Sequence, residues 1–188
     1  MSNSEQVPLG TLPDSLIIRL RDRYGLRRFV ETGTSSGVTA LKALRYFPEV
    51  HTCELSRESF DRAALPLVDA DGKRFIPVCM DSVAFLRGLF PSDVPTLLWL
   101  DSHWSGGPKL GPECPLLNEL RQIGGTSGRH TILADDYRLF ANPPPPPHVA
   151  AEWPTLVEIR DLCYELGPTD QFSVEGDIII VTPGEPAH

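Results

Sequence analysis

Short apolar runs alternate with helical patterns five times along this chain, and that alternation limits the folds it can adopt. The clearest run, Thr-Leu-Leu-Trp-Leu over residues 96–100, stops at Asp101. A continuous apolar run of this length is typical of a strand buried on both faces of a parallel sheet. Strands that alternate with helices predict an α/β fold with right-handed crossovers. We therefore expect a doubly wound, mostly parallel, seven-stranded Rossmann-like sheet with helices on both faces and one antiparallel strand near the C-terminus.

Length and composition favour one globular domain. The chain has 188 residues, of which 41% are hydrophobic and 22% charged, as in ordinary globular proteins. No apolar run approaches the roughly 20 residues that cross a membrane, and the N-terminus lacks a signal-peptide layout, so we expect a cytoplasmic protein with no membrane partner. Residues 1–188 are expected to form a single domain, with a flexible arm over 1–12 and a proline-rich lid or connection over 139–153.

The formal net charge of −8 argues against a nucleic-acid partner, because such binding depends on a basic surface that neutralises phosphates. The cysteines are too scattered to indicate a zinc ribbon or a redox dithiol. They are Cys53, Cys79, Cys114 and Cys163.

Residues 29–40 carry the first candidate site. They predict a short strand, a turn bounded by Gly33 and Gly37, and the start of a helix. Such a turn brings a ligand against bare backbone. Glu31 at the strand's end can accept hydrogen bonds from a cationic or hydroxylated ligand and would repel a pyrophosphate. A turn with a purely structural role is the alternative.

Further acids follow the other predicted strands, at the rim where ligands of parallel sheets bind. They are Glu54, Asp81, Asp101, Asp135 and Asp136. An acid at the position of Glu54 commonly binds the two ribose hydroxyls of an adenosine-containing cofactor. Asp81 and Ser82 are placed to bind an adenine edge.

With these residues the sequence resembles the class I S-adenosylmethionine-dependent methyltransferases, whose first motif is an acid followed by such a glycine turn. The resemblance implies S-adenosylmethionine as cofactor, with its ribose at Glu54 and its adenine at Asp81 and Ser82. It also implies that the amino-acid part is held by Glu31, Gly33, Thr34, Ser35, Ser36 and Gly37. The turn lacks the tighter Gly-x-Gly-x-x-Gly of dinucleotide-binding dehydrogenases, which favours the methyl donor over NAD.

Asp101, Asp135 and Asp136 form a second constellation. Carboxylates at adjacent strand ends can supply oxygen ligands to a hard divalent cation. Such a cation lowers the pKa of a bound hydroxyl and orients it towards a methyl group. The alternative is that these acids only cap loops and turns.

This second pattern resembles metal-dependent O-methyltransferases, in particular the macrocin O-methyltransferase family, which acts on sugar hydroxyls. That family has Asp-x-Asp after the fourth strand, where this chain has Asp101 and His103. The resemblance implies that Asp101, Asp135 and Asp136 bind Mg²⁺ or another divalent cation, and that Asp101 and His103 are catalytic. An imidazole is suited to accept a hydroxyl proton near neutral pH. Alternatively, His103 is a metal ligand or a structural loop residue.

Two segments are expected to form walls of the substrate site. Trp104 opens a glycine- and proline-rich loop and would be an aromatic floor for a sugar or ring, or else a core residue. Phe140 precedes the proline run 143–147, which we expect to be a lid or one side of the cleft. Docking of that run into a partner's aromatic groove is the alternative.

The expected function is thus O-methyl transfer to a small hydroxylated substrate. The alternatives are a metal-independent methyltransferase and a non-catalytic binding module that uses the proline run to engage a partner. Only a short segment precedes the first predicted strand, so the site is either open or completed by a second subunit in a homodimer.

Overall fold

The computed structural model describes residues 11–70, 72–142 and 144–184, which form one eight-stranded sheet and its flanking helices. The strands are β1 (Arg28–Thr32), β2 (Glu49–Glu54), β3 (Val68–Ala70), β4 (Lys73–Cys79), β5 (Thr96–Leu100), β6 (Thr131–Ala134), β7 (Gln171–Glu175) and β8 (Ile178–Thr182). The α-helices are α1 (Asp14–Tyr24), α2 (Val38–Ala43), α3 (Arg57–Ala63), α4 (Ser82–Leu89), α5 (Leu116–Ile123), α6 (Tyr137–Ala141) and α7 (Leu156–Leu166).

The strand order confirms the doubly wound prediction. It is β3-β4-β2-β1-β5-β6-β8-β7, with parallel pairing from β4 through β6 and with β8 antiparallel to both of its neighbours. The chain winds outward from β1 to β2 and β4, and then crosses back to β5 on the other side of β1. At such a switch point the connections leave in opposite directions and open a crevice beyond the carboxyl ends of the strands.

Two apolar layers cover the sheet, one on each face. Along β5, Leu98 and Leu100 pack with side chains of α4, α5 and α7, whereas Leu97 and Trp99 pack with side chains of α1 and α2. Successive strand residues point to opposite faces, so an apolar run is what a strand covered on both faces requires.

One strand was missed, and Pro66 is the physical reason. The sequence pattern after Glu54 predicts a helix over residues 56–69, but α3 ends at Ala63, and Ala64 has a left-handed backbone with φ of 49°. Proline removes a helix donor and restrains the residue before it. The chain then forms β3, which pairs only with residues 73–75 of β4. Among the described residues, Pro77 of β4 therefore has no partner strand on that side, as its missing donor favours.

Two further expectations differ from the structure. The proline run predicts a stiff, extended connection over residues 139–153, but α6 continues to Ala141, and a 3₁₀ turn forms over Ala150–Glu152. Leu12, expected in a flexible arm, is fully buried, while residues 1–10 of that arm lie outside the described residues. No helix within the described ranges has the length and apolar character needed to cross a membrane.

Candidate active site

An open cleft lies beyond the carboxyl ends of β1, β2, β4, β5 and β6. Its volume is ≈ 1050 Å³, slightly above the roughly 300–1,000 Å³ usual for small-molecule sites. The predicted site residues that line it are Gly33, Ser35, Glu54, Asp81, Ser82, Asp101, His103, Trp104, Asp135 and Asp136. The predicted site residues that do not line it are Glu31, Thr34, Ser36, Gly37 and Phe140.

The turn after β1 depends on two glycines. Gly33 has φ of 85° and Gly37 has φ of 76°, a left-handed region that L side chains rarely adopt. A Cβ on Gly33 would lie 2.1 Å from the carbonyl oxygen of Asp101. The cause is the parallel register, which pairs Thr32 with Leu100 at the last positions of β1 and β5. Only glycine fits where the two connections leave the sheet.

Glu54, the last residue of β2, joins this turn to the start of α3. One carboxylate oxygen accepts a hydrogen bond from Ser35 N, and the other accepts one from Ser56 N, both at 2.9 Å. An ionised carboxylate has about four lone-pair sites, so acceptor capacity remains for hydroxyl donors in the cleft.

Glu31 faces the protein interior, which differs from its predicted contact with the cofactor. It is 2% exposed, and its carboxylate accepts a hydrogen bond from Thr52 Oγ1 at 2.6 Å. Thr34 shares a hydrogen bond with the same hydroxyl at 2.5 Å. Burial, only partly opposed by the bond from Thr52, raises the pKa of Glu31 to about 8. Glu31 and Thr34 thus stabilise the turn through buried hydrogen bonds with Thr52 on β2.

The start of α4 brings Asp81 and Ser82 to the cleft. Asp81 caps the helix by accepting a hydrogen bond from Ala84 N at 2.9 Å. Ser102 Oγ lies 3.4 Å from Ser82 Oγ and donates to Glu119 at 2.6 Å. Glu119 is only 1% exposed. It was not predicted, because α5 has several polar residues and no local pattern marks Glu119 as the buried one.

His103 lies between two carboxylates. Its Nε2 is 2.6 Å from Asp136 Oδ2 and its Nδ1 is 3.6 Å from Asp101 Oδ1. The side chain is 7% exposed, and its ring packs against Trp153 with a centroid distance of 5.2 Å. Burial alone would lower the pKa of His103, but the hydrogen bond with Asp136 and the charge of Asp101 outweigh it and raise that pKa.

Burial acts on the neighbouring acids as well. It raises the pKa of Asp101 to about 7 and that of Asp135 to about 6. Burial would also raise the pKa of Asp136, but the contacts with His103 and Arg138 outweigh it and lower that pKa. Asp136 is therefore the ionised partner of His103.

Asp136 has a left-handed backbone with φ of 62°, a conformation that is uncommon outside glycine and concentrated at functional sites. Arg138, which sequence reasoning missed, forms ion pairs with Asp136 and Asp177. Asp177 comes from the turn between β7 and β8, and its Oδ1 accepts a hydrogen bond from Arg138 N at 2.8 Å. No local signal pointed to Asp177, because only the pairing of β8 with β6 brings it here.

The acids that come together differ from the predicted metal ligands. Among the described residues, the group with carboxylate oxygens within 4.8 Å of one another is Asp135, Asp136 and Asp177. Asp101 is not part of it, and His103 lies between Asp101 and Asp136. The predicted set of Asp101, Asp135 and Asp136 does not assemble as a ligand group.

The two predicted aromatic contacts separate. Trp104 lines the cleft, half-buried, and its Nε1 donates to the carbonyl of Gly107 at 3.2 Å. Phe140 is 5% exposed and packs against Trp153 at a centroid distance of 5.7 Å. The unpredicted helix α6 carries Phe140 into the core, away from the cleft.

No protein-family model matches the sequence, and no curated protein matches it either. Solved structures do match. A caffeoyl-CoA O-methyltransferase-like protein from Staphylococcus aureus covers 94% of this chain and 86% of its own, with a TM-score of 0.61 and 9% identity. Human methyltransferase-like protein 13, in complex with S-adenosylhomocysteine (SAH), covers 86% of this chain and 73% of its own, with a TM-score of 0.55 and 14% identity.

A TehB-like S-adenosylmethionine-dependent methyltransferase from Corynebacterium glutamicum covers 90% of this chain and 87% of its own, with a TM-score of 0.51 and 13% identity. At identities this low, the structural matches establish a common fold and nothing more specific. The resemblance to the macrocin O-methyltransferase family therefore stays a prediction. The chain thus has the Rossmann-like fold of S-adenosylmethionine-dependent methyltransferases.

Proposed function

We propose that this chain is an S-adenosylmethionine-dependent O-methyltransferase that acts on a hydroxyl of a small acceptor. One observation carries the proposal: a single cleft holds the glycine turn and Glu54 on its β2 side, and His103 between Asp101 and Asp136 on its β6 side. The first group suits an adenosine-bearing ligand. The second would allow a histidine to accept a hydroxyl proton.

The cofactor half fits by the chemistry of its donors and acceptors. Glu54 has acceptor sites left for two ribose hydroxyls, and Asp81 and Ser82 would meet the adenine edge. Gly33 exposes bare backbone to the amino-acid part. When bound, S-adenosylmethionine would supply an electrophilic methyl group, so the protein has mainly to position the acceptor and remove its proton.

In the acceptor half, His103 would take that proton. With Nε2–H donating to Asp136 at 2.6 Å, Nδ1 is the basic atom of the ring. Asp136 fixes the ring and stabilises the imidazolium that forms, since opposite charges at this distance attract strongly when water is excluded. Asp101 lies beside Nδ1 and would orient the hydroxyl.

Mg²⁺ is the further component that the sequence predicts. Carboxylate oxygens suit Mg²⁺, but His103 and Arg138 already engage both oxygens of Asp136, and Asp101 lies outside the group of close carboxylates. The carboxylate of Asp136 is thus better matched to its contacts with His103 and Arg138 than to a metal ion. These contacts favour metal-independent transfer as the form of the activity.

We propose a small acceptor rather than a polynucleotide or a lipid surface, because the net charge of −8 repels polyanions. Trp104 would pack against a ring or sugar face in the cleft. We also propose that two copies of the chain form a homodimer that closes the open side of the cleft. The molecular mass in solution tests this.

Isothermal titration with S-adenosylmethionine and SAH tests the cofactor, and labelled methyl transfer to a panel of phenols, sugars and hydroxy acids tests the reaction. We expect His103→Gln to keep the SAH affinity and to lose about 10²- to 10⁴-fold in turnover. Absence of cofactor binding at high micromolar concentration would refute the proposal. Full turnover by His103→Gln would remove the assigned base.

A further inference from the structure

Two long connections beside the cleft carry motifs that the proposed reaction leaves unexplained. The glycine loop, residues 104–115, precedes α5, and the proline segment, residues 144–153, precedes α7. They are far apart in sequence, yet one acid joins them. Glu113 of the glycine loop is 2% exposed, although a charged side chain is rarely buried unless it is paired.

Glu113 is bonded by donors from the proline segment. Its Oε2 accepts a hydrogen bond from Trp153 Nε1 at 2.8 Å. Val149 N lies 3.0 and 3.1 Å from its two oxygens, and His148 Nδ1 lies 3.3 Å from Oε2. Burial would raise the pKa of Glu113, but these bonds outweigh it and lower that pKa. Several donors on one carboxylate at low dielectric make a strong attachment.

A reciprocal contact doubles the attachment. Glu152 of the proline segment accepts a hydrogen bond from Glu113 N at 2.9 Å. Lys109 Nζ lies 2.7 Å from Glu152 and 3.5 Å from Glu113, so one cation compensates both acids. Each connection thus contributes a glutamate to the backbone of the other.

The attachment extends to the catalytic ring through aromatic contacts. His148 stands edge-on to Trp104 and to Trp153, with centroid distances of 5.2 Å to each. Trp153 in turn packs against His103, also at 5.2 Å. A change at Glu113 therefore acts on Trp104 at the cleft wall and on the ring behind His103.

We propose that Glu113 is a positioning residue: it fastens the proline segment to the glycine loop, and so holds Trp104 in the acceptor wall and Trp153 against His103. The inference rests on the proposed function for its catalytic consequence. The attachment itself has readouts that need neither cofactor nor acceptor. In this arrangement the proline segment is fixed to the glycine loop and supports Trp104 and His103 from outside the cleft.

The first test concerns the attachment. Glu113→Ala and Glu113→Gln are compared with the wild type and with Glu165→Ala, a matched control at an exposed position of α7. We expect faster tryptic cleavage after Lys109 in Glu113→Ala. Acrylamide quenching of tryptophan fluorescence is measured in a Trp104→Phe background, where the remaining tryptophans, Trp99 and Trp153, are both buried in the intact protein. In this background, Glu113→Ala should increase the quenching. Glu113→Gln keeps one acceptor oxygen and should lie between the two.

The second test concerns catalysis. We expect Glu113→Ala to bind SAH with unchanged affinity, since Glu113 does not line the cleft, and to lose about 100-fold in kcat because the base is misplaced. Glu113→Gln should restore part of kcat. If Glu113→Ala does not fold, Glu113→Gln, which keeps one acceptor oxygen and both buried tryptophans, replaces it in both tests.

Wild-type cleavage and quenching in Glu113→Ala, or in Glu113→Gln if it is used, would overturn the inference. So would a loss of SAH affinity as large as the loss of kcat, because that pattern indicates general damage. If the wild type methylates nothing, the proposed function fails, and cleavage and quenching still decide whether Glu113 joins the two connections.

Discussion

His103 Nε2 lies 2.6 Å from Asp136 Oδ2, and Asp136 reaches that position from a left-handed backbone with φ of 62°. The bond joins the connection after β5 to the one after β6. Strain at a residue persists when its surroundings hold it in place, and here the ion pairs of Arg138 with Asp136 and Asp177 supply that support.

Replacement of Asp136 by Asn should shift the pH dependence of methyl transfer. Deprotonated His103 is the proposed base, so wild-type turnover should rise with pH through a pKa above the ordinary value of about 6.5. Asn removes the main contact that raises the pKa of His103, and the rising limb should move to lower pH while the maximum falls. A pH–rate profile measures both effects, and an unmoved limb would assign it to another group.

Gly33→Ala should disrupt the turn at the switch point. The added Cβ would lie 2.1 Å from Asp101 O at a φ of 85°, so the connections after β1 and β5 must separate. We expect a loss of roughly 2 kcal/mol or more in unfolding free energy, together with weaker SAH binding. Urea unfolding and calorimetry measure these effects.

Gly88→Ala is the matched control for Gly33→Ala. Gly88 is helical, and a Cβ there meets nothing within 4 Å, so this change should be neutral or stabilise by about 0.5–1 kcal/mol. Equal destabilisation by both changes would contradict the steric argument.

Glu54→Gln should weaken cofactor binding. The amide keeps one carbonyl acceptor but cannot accept hydrogen bonds from both Ser35 N and Ser56 N, as Glu54 does at 2.9 Å. Hydrogen bonds to a charged acceptor are worth about 1.5–3 kcal/mol, so we expect an SAH Kd about 10- to 100-fold higher. Glu175→Gln, on the exposed pair with Arg19, is the control and should leave that Kd unchanged.

His130 should make the fold sensitive to acid. It is 1% exposed, and burial, aided by the charge of Arg28, lowers its pKa to about 4. Between that value and the unfolded pKa of about 6.5, the unfolded chain binds more protons, so stability is present above about pH 6.5 and falls as the pH drops towards 4. Urea unfolding at about pH 7 and pH 5 should show His130→Gln losing less stability than the wild type, by on the order of 2 kcal/mol.

Chelation should leave turnover unchanged. His103 and Arg138 already contact both carboxylate oxygens of Asp136, so dialysis against EDTA should cost no activity and added Mg²⁺ should restore none. Activity that disappears with EDTA and returns with Mg²⁺ would show that a metal displaces these contacts.

Much of the fold could be predicted from local sequence patterns. The apolar run 96–100 predicts β5, and Gly25 and Gly124 predict the ends of α1 and α5, where both adopt left-handed backbone. The early end of α3 and the helix α6 were not predicted. In α3, the helical pattern of apolar residues continues past the point where Pro66 prevents a helix. In α6, the first turn is held by hydrogen bonds from the backbone N–H groups of residues 137 and 138 to the distant Asp177.

For the site, the sequence by itself determined which acids stand at the strand ends, because strand ends and parallel direction follow from local pattern. Glu54, Asp81, Asp101, Asp135 and Asp136 accordingly share one cleft. The sequence could not determine which way a side chain turns or which distant residue meets it.

Only the tertiary structure decided that Glu31 points inward to Thr52, that Asp177 and Arg138 join Asp136, and that Glu113 holds the proline segment. Each of these contacts joins residues from separate elements of the fold. Sheet register and hairpin pairing bring them together, and no local propensity encodes such an approach.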